Sequence, residues 1–159
     1  MANRGEGEFY LCDQNSVINR LRRSEGWRSE WAQIVPGNFS NSPHTDLFLY
    51  DPVTGEGEFY STDGQGKISL LKRHQGWRKS WSHIIPGNFG GSKYTDLLFY
   101  DREAGEGEFY TTDGQGNTSL IKQHRGWRKN DSAIHTEGWS KIIPGQFGGS
   151  DFTDLLFYD

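Results

Sequence analysis

Three copies of one sequence unit run through this chain of 159 residues. The hexapeptide GEGEFY occurs at 5–10, 55–60 and 105–110, so consecutive copies are spaced 50 residues apart. Each copy continues with a GWR tripeptide, a PGNF or PGQF segment, and a closing segment that runs from TDL to YD. A fixed period of this length indicates a repeat architecture, in which each copy forms one supersecondary unit. We therefore predict a single repeat domain whose units cover approximately residues 5–54, 55–104 and 105–159.

The third copy differs from the other two by a polar insertion. Alignment of Trp81 with Trp139 places the extra residues at 130–137, between the GWR tripeptide and the IIPG segment. Two roles are open for this insertion: it could modify one binding site, or it could plug a groove.

Each unit is predicted to contain four β-strands. In the second copy we place them at Glu56–Thr62, Lys67–Gln75, Trp81–Ile85 and Asp96–Tyr100. The pair Asp63–Gly64 joins the first two strands and suits a tight hairpin turn, because Asp-Gly tolerates positive φ angles. The first copy has Asp-Gln at this place, which is less suited to the turn. Because no segment shows sustained helical periodicity of apolar residues, we predict an all-β fold.

Three four-stranded units fit two all-β architectures. A monomeric β-trefoil closes three repeats within one chain, whereas a β-propeller uses one four-stranded sheet for each of its blades. In the second copy Leu97 and Phe99 point to one face of their strand, and Leu98 and Tyr100 point to the other. A strand that is apolar on both faces is typical of a blade packed between two neighbouring blades, so the pattern favours the propeller.

The segment PGNFGGSKYTDLLFYDREAGEGEFY at 86–110 resembles the FG-GAP or VCBS-type propeller repeat. In that family a Pro-Gly-Asp-Phe loop precedes a Thr-Asp-Leu strand and a hairpin, and the resemblance extends over all three copies. It implies that the TDLLFYD strand is innermost in its blade and that the GEGEFY strand follows it. The calcium often held by the family's acidic loop is not expected here, because Asn88, Gly90 and Ser92 replace most of the carboxylates that calcium needs.

The order of these strands along the chain implies an assembly of two chains. Three blades are too few to close a ring, whereas two chains would supply six. The chain begins with the GEGEFY strand and ends with the TDLLFYD strand, so the blade at each junction would contain strands from both subunits. This arrangement is similar to that of small lectins that build six-bladed propellers from oligomerised two-blade chains. We therefore predict a homodimer, which would also cover edge strands that are otherwise prone to aggregation.

Composition argues against several other classes of protein. The net charge is −4 and no block of Lys or Arg is present, which argues against nucleic acid as a partner. No apolar run approaches the roughly 20 residues of a membrane-spanning helix. Residues 1–11 lack the basic and apolar regions of a secretory signal, so we expect a cytoplasmic protein or one released by a non-signal route. A single cysteine, Cys12, excludes an internal disulfide framework and a Cys-rich zinc site.

The sequence contains no arrangement of residues that indicates catalysis. A pair of carboxylates such as Glu56 and Glu58 is used in glycoside hydrolysis. Here the pair recurs in every copy, which fits repetition better than one catalytic centre. The histidines lack the spacing of a helical zinc pair, and the glycine-rich DGQG segments lack the Gly-Lys element of a phosphate-binding loop. We predict no enzyme activity, no bound metal and no cofactor.

The aromatic and charged residues that recur in every copy are the candidate binding residues. A flat indole packs against the apolar face of a sugar, while Arg and carboxylate groups bond to its hydroxyls, which matches the general pattern of a ligand site. We predict carbohydrate-binding sites made of Trp27, Arg28, Trp77, Arg78, Trp127, Arg128, Glu8, Glu58, Glu108, Tyr10, Tyr60 and Tyr110.

A recurring Trp is also typical of packing between repeats. We assign that role to the second Trp of each unit, which is Trp31, Trp81 or Trp139, because an Ile-Val or Ile-Ile pair follows it. Both roles stay open for the first Trp of each unit, which lies between Gly and Arg in a loop.

The predicted function is that of a multivalent carbohydrate-binding protein, a lectin, with glycans or glycoconjugates as partners. Sugar sites are individually weak, and their repetition raises avidity through multivalency. The alternative is a protein-interaction scaffold that uses the same aromatic face, because Trp and Arg also dominate protein interfaces.

Overall fold

The computed structural model describes residues 4–127 and 138–159. All helices and strands assigned within these residues are β-strands, and no helix is among them. The strands are β1 (Arg4–Cys12), β2 (Ile18–Arg28), β3 (Gln33–Gly37), β4 (Asp46–Asp51), β5 (Glu56–Thr62), β6 (Ile68–His74), β7 (His83–Gly87), β8 (Asp96–Asp101), β9 (Glu106–Thr112), β10 (Thr118–His124), β11 (Lys141–Gly145) and β12 (Asp154–Tyr158). The all-β prediction is confirmed. The predicted insertion at 130–137 and Arg128 lie outside the described residues. In the part of the chain that is described, no helix is long and apolar enough to cross a membrane.

The strands form four antiparallel sheets. Strands β3 to β6 pair in chain order and make the first sheet, and strands β7 to β10 do the same in the second sheet. Strands β1 and β2 form a separate N-terminal hairpin, and β11 and β12 form a separate C-terminal hairpin. Each four-stranded sheet therefore joins the last two strands of one sequence copy to the first two strands of the next.

The TDL strands β4 and β8 lie second in their sheets, so the expectation that they are innermost is wrong. The expectation that the GEGEFY strand follows the TDL strand is confirmed, because β5 pairs with β4 and β9 pairs with β8. The edge position belongs to the strand that contains the PG dipeptide, because that segment pairs with the TDL strand over five residues, from His83 opposite Tyr100 to Gly87 opposite Asp96. Pro86 is tolerated there, since an edge strand needs no ladder hydrogen bond on its outer side. The strand begins at His83 rather than at the predicted Trp81, because the pairing with β8 begins at His83 opposite Tyr100.

The connection between β5 and β6 is a five-residue loop, residues 63–67, in which Gly64 but not Asp63 takes a positive φ angle. The carboxylate of Asp63 accepts hydrogen bonds from the backbone N–H of Gln65 at 2.8 Å and of Lys67 at 3.0 Å. Gly64 and Gly66 have φ angles of 75° and 78°. In the corresponding turn of the N-terminal hairpin, Ser16 adopts a φ of 61°, which strains a residue that has a Cβ atom.

The core consists of two clusters, one on each side of the second sheet. The first lies between the two four-stranded sheets and contains Phe48 and Phe59 from one sheet and Leu97 and Phe99 from the other. The second packs Leu98 and Tyr100 against the C-terminal hairpin. Strand β8 is therefore buried on both faces, as its sequence predicts.

The edge strands β3, β7 and β11 lie side by side in that order. Side chains at equivalent positions of the first and second copies connect neighbouring edge strands. Gln33 accepts a hydrogen bond from the backbone N–H of Ile84 at 2.9 Å, and Nε2 of His83 lies 2.9 Å from the carbonyl oxygen of Ser140. Each edge strand therefore contacts the edge strand of the next sheet or hairpin along the chain.

Candidate functional site

Arg78 connects the first sheet to the second at the candidate site. It lies between β6 and β7, directly after Trp77, and its guanidinium group reaches the turn between β8 and β9. One guanidinium nitrogen lies 2.7 Å from the carboxylate of Glu106 and 3.5 Å from that of Asp101, and another lies 3.5 Å from Glu108. Glu106 and Glu108 can both face it because alternate residues of a strand point to the same side.

Arg28 repeats this arrangement one unit earlier, where it pairs with Asp51 and Glu56. Each guanidinium also covers an indole of its own unit: the distance to the ring centroid is 4.4 Å for Arg28 over Trp31 and 4.5 Å for the equivalent pair in the second unit. Burial disfavours the charged form of Arg28, but hydrogen bonds and charge interactions with the carboxylates outweigh burial and raise its pKa. Each Arg is therefore a fixed cation between an indole and a group of carboxylates.

Trp77 lies between the two four-stranded sheets. Its ring stacks on Phe99 of the second sheet, meets the edge of Tyr110 at a centroid distance of 5.1 Å, and meets His74 of the first sheet at 5.8 Å. Gly57 leaves room for it, since a Cβ atom there would lie 3.3 Å from the indole nitrogen. Trp77 is half-buried, so the loop position from which it starts does not leave its ring free in solvent.

The other two first-position tryptophans have different numbers of neighbours. Trp127 stacks on His124 at 4.9 Å and meets Phe157 of the C-terminal hairpin edge-on at 5.2 Å. Trp27 meets the edge of Phe9 at 6.2 Å within the N-terminal hairpin. The second-position residue Trp81 is buried in the first core cluster, as predicted for packing.

The recurring Glu and Tyr residues form hydrogen-bonded pairs on the GEGEFY strand of each copy, which is β1, β5 or β9. The hydroxyl groups of Tyr10, Tyr60 and Tyr110 donate to the carboxylates of Glu8, Glu58 and Glu108, respectively, at 2.5 to 2.6 Å. Burial, and then the hydrogen bond to Glu58, raises the pKa of Tyr60 to about 12, and the same causes raise the pKa of Tyr110. These tyrosines therefore remain protonated and act as donors at neutral pH.

The carboxylates that end the TDL strands hold the turns that follow them. Burial opposes ionisation of Asp101, but hydrogen bonds from Ser80 and from the N–H of Ala104, together with Arg78, outweigh it and lower its pKa. The pKa of Asp51 is lowered by the corresponding contacts with Thr54, Val53 and Arg28 against the same opposing effect of burial. Both groups are therefore ionised at neutral pH.

The structure brings four of the sequence-predicted residues together: Trp77, Arg78, Glu108 and Tyr110. They come from consecutive units and meet where the first sheet faces the second. Trp27 and Arg28 end strand β2 of the N-terminal hairpin, and Arg28 makes the equivalent ion pairs with Asp51 and Glu56, whereas Arg128 lies outside the described residues.

Sequence reasoning did not include four further carboxylates that pair with the two arginines among the binding residues. Asp51, Asp101, Glu56 and Glu106 recur at fixed places in the repeat, and their offset from GWR is the signal that could have identified them.

Two further concave surfaces lie apart from the residues around Arg78. One, of about 460 Å³, is lined by Pro36–Asn38 and Ser42–Thr45, and the other, of about 310 Å³, is lined by Arg4–Glu6 and Glu25–Gly26. Across residues 4–127 and 138–159, no group of three or more His, Cys, Asp or Glu side chains is arranged to hold a metal ion.

No protein-family model matches this sequence, and no curated protein matches it.

Proposed function

We propose that this protein is a multivalent carbohydrate-binding protein whose sites lie between adjacent blades of a β-propeller. The observation that supports it best is the convergence of Trp77 and Arg78 from one unit with Glu108 and Tyr110 from the next. Such a site offers aromatic surface, a fixed cation and a carboxylate within one half-exposed cleft. Vicinal sugar hydroxyls need a donor and an acceptor of this kind beside an apolar surface.

The arrangement of the sheets supports a propeller rather than a monomeric trefoil. Both four-stranded sheets are meanders with strands paired in chain order, and their edge strands lie side by side. Two full sheets and two hairpins amount to three blades per chain, and two chains supply the six blades of a closed ring. The proposed assembly is therefore a homodimer.

The alternative function, a protein-interaction scaffold, is favoured by apolar side chains on the outer strands. Leu70 on β6 and Leu120 on β10 occupy the same position in their sheets, and each is about half exposed. Exposed apolar side chains at repeated positions are typical of a surface that binds another protein. A partner bound there would contact the outer rim rather than the cleft that contains Arg78.

Substitutions that preserve shape test the carbohydrate proposal. A glycan array is probed with the wild-type protein and with Glu108→Gln and Tyr110→Phe, which remove a charge and a hydroxyl group but keep the packing. We expect binding to one class of sugar that falls about 10-fold or more in Glu108→Gln, since a hydrogen bond to a charged group contributes roughly 1.5–3 kcal/mol. Leu70→Ser on the outer strand is the matched control.

An array that stays silent for the folded wild-type protein would overturn the carbohydrate proposal. Binding that is lost in Leu70→Ser but kept in Glu108→Gln would instead favour the outer rim as the binding surface.

A further inference from the structure

Strands β1 and β12, one in each terminal hairpin, have one unpaired edge each within the described part of the chain, although their equivalents in the four-stranded sheets are paired on both sides. Strand β1 pairs only with β2, and strand β12 pairs only with β11, among the residues that the structure describes. The N-terminal hairpin corresponds to the outer half of each four-stranded sheet, and the C-terminal hairpin corresponds to the inner half. The two edges are therefore the two sides of a junction that the chain already contains twice, between β4 and β5 and between β8 and β9.

Both internal junctions have the same register. Leu47 lies opposite Tyr60 in the first sheet, and Leu97 lies opposite Tyr110 in the second. At the other end of the junction Asp51 lies opposite Glu56, and the equivalent pair in the second sheet follows the same pattern. From this we infer that β12 of one copy pairs with β1 of a second copy in this register, with Leu155 opposite Tyr10 and Asp159 opposite Glu6. The inference rests on the propeller proposed above and specifies how its ring closes.

Burial at the chain end supports a second copy as the occupant of this edge. Tyr50 and Tyr100 are 0% exposed, whereas Tyr158, at the same position of the C-terminal hairpin, is 56% exposed. Leu98 is 0% exposed and its equivalent Leu156 is 46% exposed. Because these residues carry the core sequence of the repeat, their exposed surface matches the face that the next strands cover in the internal unit, where Leu98 and Tyr100 pack against the C-terminal hairpin. At the joint, the first sheet of the second copy would cover it.

Polar groups at the chain end fit the same partner. The hydroxyl of Tyr50 donates to the carbonyl oxygen of Arg78 at 2.6 Å, and that of Tyr100 donates to Trp127 at 3.0 Å. These acceptors are equivalent to Arg28 and Trp27, so at the joint Tyr158 would donate to a backbone carbonyl oxygen of the Trp27–Arg28 dipeptide of the second copy.

A loop contact repeats in the same way. The backbone N–H of Asn38 donates to the hydroxyl of Thr95 at 2.8 Å, and Asn88 makes the same bond to Thr153. By this repeat Gln146 would meet Thr45 of the second copy. Thr45 lines the 460 Å³ concave surface, which this contact would cover.

The joint also creates a binding site that one chain cannot build. Tyr110 and Glu108 complete the cleft of the preceding unit, where they meet Trp77 and Arg78. By the same relationship, the cleft that begins at Trp127 is completed by Tyr10 and Glu8 of the second copy. Each joint would therefore contribute one shared site, and the closed ring would contain two of them.

The number of copies follows from ring size. The contact joins two different edges, so repeated copies must close into a ring or extend without limit. Propellers typically have four to eight blades, and each chain contributes three, so two copies satisfy this range while one or three do not. The assembly is therefore predicted to be a closed dimer.

Solution mass and a cysteine pair test this joint. Light scattering over a wide concentration range should give about twice the 18.2 kDa mass of the chain. In a Cys12→Ser background, Asp159→Cys and Glu6→Cys are placed on separate chains and the two proteins are mixed under oxidising conditions. We expect a disulfide-linked dimer, whereas Asp159→Cys mixed with Glu8→Cys, two residues out of register, should give at least 10-fold less of it.

A charged substitution on β12 provides a second test of the joint. Leu156→Lys should convert the dimer to a folded monomer, whereas Leu70→Lys, with 49% exposure on the outer strand β6, should leave the dimer intact. A wild-type monomer at every concentration, or equal cross-linking in both registers, would overturn the joint. A dimer that binds no glycan would overturn only the carbohydrate proposal, so the two failures are distinguishable.

Discussion

The indole ring of Trp77 lies nearly parallel to the ring of Phe99, with the centroids 4.5 Å apart and an interplanar angle of 12°. The two residues belong to the same sequence copy, but Trp77 follows β6 of the first sheet and Phe99 lies on β8 of the second, so they face each other across one inter-sheet space. This contact makes Trp77 part of the core as well as a wall of the candidate site. Removal of its ring is therefore expected to lower the stability of the fold, and any loss of binding has to be separated from that effect.

Trp77→Ala is expected to lower the free energy of unfolding by about 3 kcal/mol, because it removes a large packed ring between the sheets. Trp27→Ala is the matched control: its ring meets Phe9 at 6.2 Å, and the cost should be at least twofold smaller. Urea denaturation followed by circular dichroism measures both values. Equal losses in the two variants would contradict the packing role of Trp77.

Arg78→Gln should destabilise the protein by about 2–3 kcal/mol, since it leaves the buried carboxylate of Asp101 without its cation. Arg20→Gln removes an exposed pair with Glu8 and should cost much less, because solvent screens the attraction between exposed charges. Thermal denaturation of the two variants under identical conditions provides the comparison. A larger shift for Arg20→Gln would show that burial does not control these ion pairs.

Stability should fall in acid as Asp101 becomes protonated. Its pKa is lowered in the folded state, so its stabilising contribution is complete above the unfolded-state pKa near roughly 3.9 and is lost as the pH falls below that value. The difference in unfolding free energy between the wild type and Asp101→Asn should therefore shrink between pH 5 and pH 2. Urea midpoints measured at several pH values give this difference, and a constant gap would be inconsistent with the lowered pKa.

Gly55→Ala and Gly76→Ala separate steric contact from backbone strain. Both glycines have positive φ angles, 74° and 80°, so each Ala variant carries a strain of roughly 1–2 kcal/mol. At Gly55 the added Cβ would also lie 2.5 Å from the carbonyl oxygen of Trp77, whereas nothing lies within 4 Å at Gly76. We expect Gly55→Ala to be the more damaging by at least 1 kcal/mol in chemical denaturation, as a clash with backbone cannot relax easily. The reverse order would refute this account.

Ser16→Gly should raise stability by up to about 1 kcal/mol, because it relieves a residue with a Cβ atom at a φ of 61°. The reciprocal change Gly66→Ser is expected to destabilise, since a Cβ there would lie 2.8 Å from the Cβ of Arg22. Differential scanning calorimetry of both variants provides the test. A lower melting temperature for Ser16→Gly would show that the strain is offset by contacts of the hydroxyl group.

The sequence was sufficient to predict the elements but not the order in which they pair. GEGEFY at 55–60 predicts a strand, and the structure begins β5 at Glu56. The resemblance to the propeller repeat implied the innermost position for the TDL strand, and the apolar sequence of that strand predicted burial on both faces. The TDL strand is instead the second strand, because the PG-containing segment pairs along its free side and the proline of that segment is compatible with a sheet edge. An apolar pattern records burial, and both a middle strand and an innermost strand are buried.

The sequence also identified four candidate binding residues, Trp77, Arg78, Glu108 and Tyr110, but could not show that they contact one another. Their separation along the chain is about 30 residues, and only the packing of one sheet on the next brings them within contact. The same packing decided that the Trp77 ring faces Phe99 rather than solvent, since loop sequence does not specify where a side chain is directed.

By itself the sequence determined that this protein is a threefold repeat of β-strands with glycine turns, because local periodicity and turn chemistry act between neighbouring residues. Tertiary structure alone decided how the strands of successive copies combine into sheets and which carboxylates form ion pairs with each arginine. It also decided that β1 and β12 keep one edge each without a partner in the described chain. These outcomes depend on contacts between distant segments, and the free energy of such contacts depends on packing geometry that a repeat period does not encode.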